Sequence, residues 1–392
     1  MLKKSSSLCP QTIAAKAGID QDAAYGAITP PLVTSSNFSF ESFGNRRLYD
    51  YTRSGNPTRE TLGQVIAELE GGHNAVITSS GLSALNLIFS DVRADDLIIA
   101  PHDCYGGSYR LLRERADLGQ FRLKFIDLTD PATWDVAFAG KPKVVLIETP
   151  SNPLLRITDV RAVAERAHGV GALVVADNTF LSPVSQKPLE LGADAVVHSL
   201  TKYINGHSDV VGGAVVAKSP ELFERLAWWA NVVGVTGAPF DSWLVLRGIR
   251  TLDLRVRAQT RTAGEIARYL EGHPAVAKVY YPGLASHEGH ALAARQQDGF
   301  GAMLSIELTA PDKVEAFVNA LAGPGKLFSL AESLGGFESL IAHPATMTHA
   351  SMTDEERRHA GVSDALLRIS IGLEAARDLK NALKKAFAAA GL

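Results

Sequence analysis

A lysine with hydroxyl-bearing neighbours lies just past the middle of the chain, where the apolar run 195–197 is followed by Ser199, Thr201 and Lys202. Further upstream, another apolar run ends in Asp177. A lysine amine forms a Schiff base with an aldehyde. A carboxylate can hold a pyridine nitrogen protonated so that the ring accepts electrons, and hydroxyl groups can bind phosphate. These residue types predict a site for pyridoxal 5′-phosphate (PLP); the alternative is a surface lysine and a helix-capping aspartate.

The segment 78–83, with the sequence Thr-Ser-Ser-Gly-Leu-Ser, is a candidate phosphate-binding turn. It follows an apolar run and precedes a helical pattern, and backbone amides at the start of a helix bind phosphate well. Gly81 lets the backbone come close to a ligand because it has no side chain. Many strand-to-helix turns share this composition, so the segment supports a cofactor site only in combination with Lys202.

Three further segments carry candidate ligands. In the loop 102–110, the ring of Tyr105 can stack on a pyridine ring or anchor the loop. Cys104 beside it is expected to be a buried structural thiol rather than a nucleophile. The polar loop 49–59 carries two arginines that fit phosphate or carboxylate, although alone it resembles an exposed turn. Arg368 lies in an apolar run, where its charge requires a partner, either a protein carboxylate or the α-carboxylate of a substrate.

Short apolar runs alternate with helical patterns over residues 61–255. The candidate strands are 75–77, 97–100, 144–147, 173–176, 195–197 and 214–216. Continuous apolar strands that alternate with helices predict a mostly parallel sheet covered on both faces. Ligands of such sheets bind beyond the carboxyl ends of the strands. Glu148, Asp177 and Ser199 each lie at such an end, so we expect them at one edge of the sheet.

The chain divides into three expected regions. Residues 1–60 are rich in Pro, Ser, Asn and Arg and lack periodicity, which predicts an N-terminal arm that contacts a neighbouring subunit. Residues 61–255 are the expected PLP-binding domain. Residues 256–392 predict a smaller C-terminal α+β domain, with a strand at 302–306 and a final helix that runs to Leu392.

The composition is that of an ordinary globular protein, with 392 residues of which 46% are hydrophobic and 21% charged. The net charge is −3 and there is no basic block, so nucleic acid is not an expected partner. No apolar run approaches the roughly 18 residues of a transmembrane helix. Two cysteines, and a beginning without the apolar stretch of a signal peptide, favour a reducing compartment and therefore the cytoplasm.

Together these segments resemble the Cys/Met-metabolism family of PLP-dependent enzymes, from about residue 11 to residue 385. The resemblance implies the type I aminotransferase fold and a homotetramer built from two tight dimers. It implies that Lys202 forms the Schiff base, that Asp177 pairs with the pyridine nitrogen, and that Tyr105 stacks on the ring. The remaining expected cofactor ligands are Ser199, Thr201, the amides of Gly81 and Leu82, and, from the neighbouring subunit, Tyr51 and Arg53. The expected ligands of the substrate carboxylate are Asn152, Ser333 and Arg368.

Within this family, the loop 101–110 is similar to that of the bacterial enzymes that catalyse γ-replacement. It includes Arg110, which is suited to a distal substrate carboxylate. Asp50 fits the same activity, and Glu332 stands where many β-lyases carry an aromatic residue; it is expected to meet an amino group of cysteine or cystathionine. The resemblance implies that the chain makes cystathionine from cysteine and an O-acylhomoserine, with O-succinylhomoserine expected ahead of the acetyl ester, in methionine biosynthesis.

Two features favour an alternative activity. Phe337 and the stretch 347–352 resemble the γ-lyases, which cleave cystathionine to cysteine, 2-oxobutyrate and ammonia. The balance between replacement and elimination therefore stays open at this stage. A protein of the same fold that only binds or assembles, without turnover, is disfavoured because the expected cofactor residues are all present.

Overall fold

The computed structural model describes residues 8–348, 350 and 353–392. The strands are β1 (Asn74–Thr78), β2 (Leu97–Pro101), β3 (Arg122–Ile126), β4 (Val144–Glu148), β5 (Leu173–Asp177), β6 (Ala195–Ser199), β7 (Gly213–Ala217), β8 (Val276–Tyr280), β9 (Met303–Leu308), β10 (Phe328–Leu330), β11 (Ser339–Ala342) and β12 (Leu366–Ser370). The α-helices are α1 (Pro10–Ala15), α2 (Pro57–Glu70), α3 (Gly81–Ile88), α4 (Gly106–Asp117), α5 (Trp134–Phe138), α6 (Val160–His168), α7 (Ser182–Ser185), α8 (Pro220–Val233), α9 (Pro239–Ile249), α10 (Leu252–Glu271), α11 (His290–Gln296), α12 (Val314–Leu321), α13 (Asp354–Ala360) and α14 (Ala376–Ala390). None of the described helices is long and apolar enough to cross a membrane.

A seven-stranded sheet, in the order β1-β7-β6-β5-β4-β2-β3, carries the larger core. β7 pairs antiparallel with β1 and β6, and the pairs among the other strands are parallel. Every residue of β2, β4 and β7 is buried, as expected for continuous apolar strands covered on both faces. The predicted mostly parallel sheet is confirmed.

The parallel register sets the edge at which the site forms. Glu148 at the end of β4 lies beside Asp177 at the end of β5, and Asp177 lies beside Val197 in β6. The carboxyl ends of these three strands therefore meet at one edge of the sheet. Ser199 ends β6, and the turn that follows it carries Lys202.

The six candidate strands each lie within an observed strand, but β3 was not predicted. Its sequence, Arg-Leu-Lys-Phe-Ile, is only partly buried because β3 is an edge strand with a single neighbour, β2. An edge strand is partly open to solvent and needs no continuous apolar run. The pattern that identifies the other strands is therefore absent from β3.

A five-stranded sheet, in the order β10-β11-β12-β9-β8, forms a second, smaller layer in the C-terminal part of the chain. The predicted strand at 302–306 corresponds to β9, and the predicted final helix is α14, which ends at Gly391 in the left-handed conformation. β12 is buried along its whole length and carries Arg368 at its centre. This sheet therefore delivers one charged side chain toward the edge of the larger sheet.

Residues 8–56 form an arm that contains one short helix, α1. Ile13 and Ala14 of α1 are buried, whereas Tyr25, Phe43 and Leu48 are 92%, 106% and 85% exposed. Large apolar side chains this exposed are typical of a surface that another protein covers. The arm ends at the N-cap of α2, residue 56.

Candidate active site

A cavity of about 310 Å³ lies at the carboxyl ends of β4, β5 and β6. It gathers most of the predicted site residues: Gly81, Leu82, Tyr105, Asn152, Asp177, Ser199, Thr201, Lys202, Glu332, Ser333 and Arg368. These residues come from both sheets, so the cavity lies between the two layers. Parallel sheets bind ligands at this edge.

Lys202 extends into the cavity from the turn after β6. Its Nζ donates a hydrogen bond of 2.8 Å to Oγ of Ser333. Burial, and then the nearby positive charge of Arg368, lower the pKa of Lys202 to about 8. An amine with this pKa is partly neutral near physiological pH, so it can act as a nucleophile toward an aldehyde and as a base.

Asp177 and Glu148 form a pair of neighbouring carboxyl groups at the floor of the cavity. Burial raises the pKa of both groups, and the charge of Asp177 raises that of Glu148 further, well above its usual range. Oδ1 of Asp177 accepts a hydrogen bond from the backbone N–H of Thr179 at 3.0 Å. Two buried carboxylates side by side need a positive charge. A protonated pyridine nitrogen next to Asp177 would supply it.

The turn before α3 closes against the lysine-bearing turn. Oγ of Ser80 caps α3 by accepting from the backbone N–H of Ser83, and the side chain of Ser83 accepts from the backbone N–H of Ser80. A Cβ atom on Gly81 would meet Cβ of Ser199 at 2.8 Å, so only glycine fits this approach. Ser199 thus lies beside the start of α3, and Thr201, whose Oγ1 accepts from the backbone N–H of Gly212 at 3.1 Å, lines the same cavity, an arrangement that suits a phosphate.

Arg368 is 4% exposed and has neutral hydrogen-bond partners. Nη1 donates to Oδ1 of Asn152 at 3.2 Å, and Nη2 donates to the carbonyl oxygen of Ser333 at 2.9 Å. In the described part of the chain, no carboxylate lies within ion-pair distance of this guanidinium. Burial accordingly lowers its pKa, while Glu332 acts in the opposite sense. The group is therefore a buried cation that a ligand carboxylate could pair with.

Ser333 adopts a left-handed backbone conformation, with φ of 83°. This conformation costs a non-glycine residue roughly 1–3 kcal/mol and persists where the surroundings impose it. Here it lets one residue contact both cations, because the side chain accepts from Lys202 and the carbonyl group accepts from Arg368.

Four predicted site residues do not line the cavity of their own chain. Nη1 of Arg53 donates to both oxygens of Asn231 at 2.7 Å, and its guanidinium lies 5.5 Å from the ring centre of Tyr51. Asp50 accepts from Oγ of Ser54 at 3.1 Å. Arg110 is on an exposed part of α4. Their expected roles therefore stay predictions.

Several cavity residues were not predicted as part of the site. The sequence marks Glu148 only as a residue at a strand end, and no local pattern identifies Thr179 or Thr348 as cavity residues. Of the stretch 347–352 that favours the γ-lyases, positions 349, 351 and 352 lie outside the described residues. Cys104 is fully buried and burial raises the pKa of its thiol well above its usual value, as expected of a structural cysteine.

The model of the family "Cys/Met metabolism PLP-dependent enzyme" matches residues 11–388. The chain belongs to this family. PLP is therefore the cofactor, and the fold is that of the type I PLP-dependent enzymes. The buried carboxyl pair, the close approach of Gly81 to Ser199 and the lysine of lowered pKa are the features of the cavity that fit this cofactor.

Relatives in the Cys/Met-metabolism family catalyse several reactions of cystathionine. Cystathionine gamma-synthase of Escherichia coli (strain K12) is 52% identical over 380 residues, which cover 97% of this chain and 98% of that protein. Cystathionine gamma synthase from Xanthomonas oryzae pv. oryzae, solved in complex with cystathionine, is 60% identical, with a TM-score of 0.96 and coverage of 98% of this chain and 99% of that chain. Cystathionine beta-lyase of Lactococcus lactis subsp. cremoris is 45% identical over 369 residues, which cover 94% of this chain and 96% of that protein.

Proposed function

We propose that the cavity catalyses γ-replacement, in which cysteine displaces the acyl group of an O-acylhomoserine to give cystathionine. The observation that carries this proposal is the 60% identity, over nearly the whole chain, to a cystathionine gamma synthase that was solved with cystathionine bound. The lyase relatives are less similar, at 45% identity or below among those compared.

The cofactor would be held by residues of both the sheet edge and the lysine turn. Lys202 would hold it covalently through Nζ, Asp177 would pair with the pyridine nitrogen, and the ring of Tyr105 would stack on it. The phosphate would contact the hydroxyl groups of Ser199 and Thr201 and the amides of Gly81 and Leu82. When bound, PLP supplies an electron sink that makes the Cα proton of an attached amino acid acidic.

The α-carboxylate of the substrate would pair with Arg368. Asn152 and Ser333 orient the guanidinium through Oδ1 and the carbonyl oxygen, respectively. A carboxylate accepts two parallel hydrogen bonds from an arginine, which fixes the amino acid in one orientation. This would place Cα of the substrate toward Lys202, because Ser333 contacts both cations.

Proton transfer would be carried out by Nζ of Lys202. Nζ would accept the Cα proton of the bound substrate. In the overall reaction, the acyloxy group would leave Cγ as a carboxylate and the thiolate of cysteine would add at that carbon. The protons taken from Cα and Cβ would be returned, with Nζ of Lys202 as the donor at Cα. The Oγ of Ser333, 2.8 Å away, would orient the amine for these transfers.

Substrate choice would depend on residues farther from the chemistry. Glu332 lines the cavity and is exposed, so it can meet the amino group of the incoming cysteine. We assign the succinyl carboxylate to Arg110 and regard O-succinylhomoserine as the expected ester. Asp50 would assist at the same outer part of the site.

We further propose a homotetramer built from two dimers, in which Tyr51 and Arg53 complete the phosphate site of the neighbouring subunit. The exposed apolar residues of the arm, Tyr25, Phe43 and Leu48, support a partner surface there. The cytoplasm stays the predicted location.

The products distinguish replacement from elimination. The PLP-loaded protein is incubated with O-succinylhomoserine, with and without cysteine, and separately with cystathionine. We expect cystathionine as the main product when both substrates are present. Cleavage of cystathionine to cysteine and 2-oxobutyrate, without its formation, would instead establish a γ-lyase. The Lys202→Ala variant serves as the control and should form neither product.

A further inference from the structure

Glu148 is a buried carboxylate at the end of β4, and each of its oxygens accepts a hydrogen bond from a different loop. Its side chain lines the cavity and the residue is 6% exposed. Oε2 accepts a hydrogen bond of 2.9 Å from the backbone N–H of Tyr105, and Oε1 accepts one of 3.1 Å from the backbone N–H of Asn152. No cofactor or substrate contact assigned above uses this residue.

The two loops held by Glu148 carry different parts of the proposed site. Tyr105 immediately precedes α4 and lines the cavity, where its ring would stack on the cofactor. Asn152 accepts a hydrogen bond from Arg368, the proposed ligand of the substrate carboxylate. We propose that Glu148 is a positioning residue, which holds the ring of Tyr105 and the side chain of Asn152, the acceptor that orients Arg368, at a fixed separation through these two backbone hydrogen bonds. This inference rests on the proposed function for the roles of Tyr105 and Asn152.

The chemistry of the two bonds requires a carboxylate. Two backbone N–H groups converge on one side chain, and an ionised carboxylate offers two acceptor oxygens and no donor. Burial and the charge of Asp177 raise the pKa of Glu148, whereas the hydrogen bonds from Tyr105 and Asn152 act in the opposite sense and favour the ionised form. Hydrogen bonds to a charged acceptor are also stronger than those to a neutral one. Glutamine at this position would keep one acceptor and would turn its NH₂ group toward the other N–H, so one of the two bonds would be replaced by a repulsive contact.

A second carboxylate offers a matched control. Asp103 is also buried, and its Oδ2 accepts from Oγ of Ser151 at 2.7 Å and from Nη1 of Arg156 at 3.3 Å. It therefore joins the same two stretches of chain as Glu148, but through side chains rather than through the amides of Tyr105 and Asn152. A general loosening of these loops should follow from a change at either carboxylate, whereas loss of the positioning contacts should follow only from a change at Glu148.

The test compares Glu148→Gln, Glu148→Asp and Asp103→Asn in the holoenzyme. Three quantities are measured: the dissociation constant of PLP, and the dissociation constants of glycine and of methylamine, each followed by the change in cofactor absorbance. Glycine has a carboxylate for the Arg368 site, and methylamine does not. None of these measurements requires turnover, so they remain informative even if the wild-type enzyme proves to catalyse another reaction of the family.

We expect Glu148→Gln to weaken binding of PLP, or of glycine relative to methylamine, by roughly tenfold or more, because one charge-assisted hydrogen bond is lost. Glu148→Asp should behave similarly, since its carboxylate is withdrawn by one methylene group and cannot reach both amides. Asp103→Asn should change each constant by less than about threefold. Constants within about twofold of wild type in Glu148→Gln or Glu148→Asp would overturn the inference, as would equal losses in Asp103→Asn. If Glu148→Gln fails to fold, the dissociation constants of Glu148→Asp test the inference.

Discussion

Replacing Arg368 by methionine should separate catalysis from stability. The guanidinium is buried, has neutral partners in Asn152 and Ser333, and has no carboxylate within ion-pair distance in the described part of the chain. Its proposed counter-ion is the substrate. Removing one partner of such a desolvated pair costs roughly 3–5 kcal/mol, which corresponds to a loss of roughly 150-fold to several thousandfold in kcat/KM.

The same change should leave the ligand-free protein about as stable as before. Methionine is long, flexible and apolar, so it fills the space of the side chain. The variant loses two hydrogen bonds from a charged donor, at about 1.5–3 kcal/mol each. It also avoids the cost of burying an ion, which is several kcal/mol. These effects are of similar size and opposite sign, so the Tm of the apoprotein should change by only a few degrees.

The assay is formation of cystathionine from O-succinylhomoserine and cysteine, together with thermal unfolding of the apoprotein. Arg368→Lys is the matched control. It keeps the positive charge but not the forked geometry, and should fall between wild type and the methionine variant. A kcat/KM within tenfold of wild type, or a fall in Tm of more than about 8 °C, would refute the reasoning, since Arg368 would then be a structural cation.

Four further outcomes follow from the site. Asp177→Ala should lower both the affinity for PLP and kcat, since an unprotonated ring accepts electrons poorly; titration with PLP and initial rates measure the two effects. In the apoprotein, Lys202 should react with an amine-specific reagent with a midpoint near pH 8, because burial lowers its pKa to about 8, and the reaction should slow below that pH as the amine becomes protonated. Mixing Lys202→Ala with Arg53→Ala subunits should restore part of the activity if Arg53 acts on the active site of the neighbouring subunit. If no activity returns despite proven subunit exchange, Arg53 serves the active site of its own subunit. Arg110→Ala should raise KM for O-succinylhomoserine about tenfold or more but leave the acetyl ester nearly unaffected, whereas equal losses would show that Arg110 only supports the loop.

The parts of the fold that depend on burial could be predicted from the sequence. Strands covered on both faces, such as β4 and β5, have continuous apolar sequences that identify them directly. The edge strand β3 has no such run, so the pattern does not identify it. Lys202 and Asp177 are identified by their residue types beside apolar runs. The rule that the carboxyl ends of parallel strands meet, which needs only the order of the elements along the chain, brings Asp177, Glu148 and Ser199 to one edge.

The contacts between loops could not be predicted in the same way. Glu148 follows a strand, but its role depends on the backbone amides of Tyr105 and Asn152, and every residue has an amide whatever its side chain. The sequence likewise does not decide whether the partner of Arg368 is a protein carboxylate or a substrate. The partner depends on which side chains lie near Arg368 once the second sheet has packed against the first. No local sequence pattern predicts this packing.

The central claim is that one cavity, built around Lys202, carries out γ-replacement with PLP. It is tested most directly by reducing the holoenzyme with borohydride in steps, while cystathionine formation and the site of the attached cofactor are followed by assay and by peptide mass spectrometry. We predict that the cofactor becomes attached to Lys202 alone and that activity falls in proportion to this modification. Attachment to another lysine, or full activity in protein that is modified at Lys202, would contradict the account.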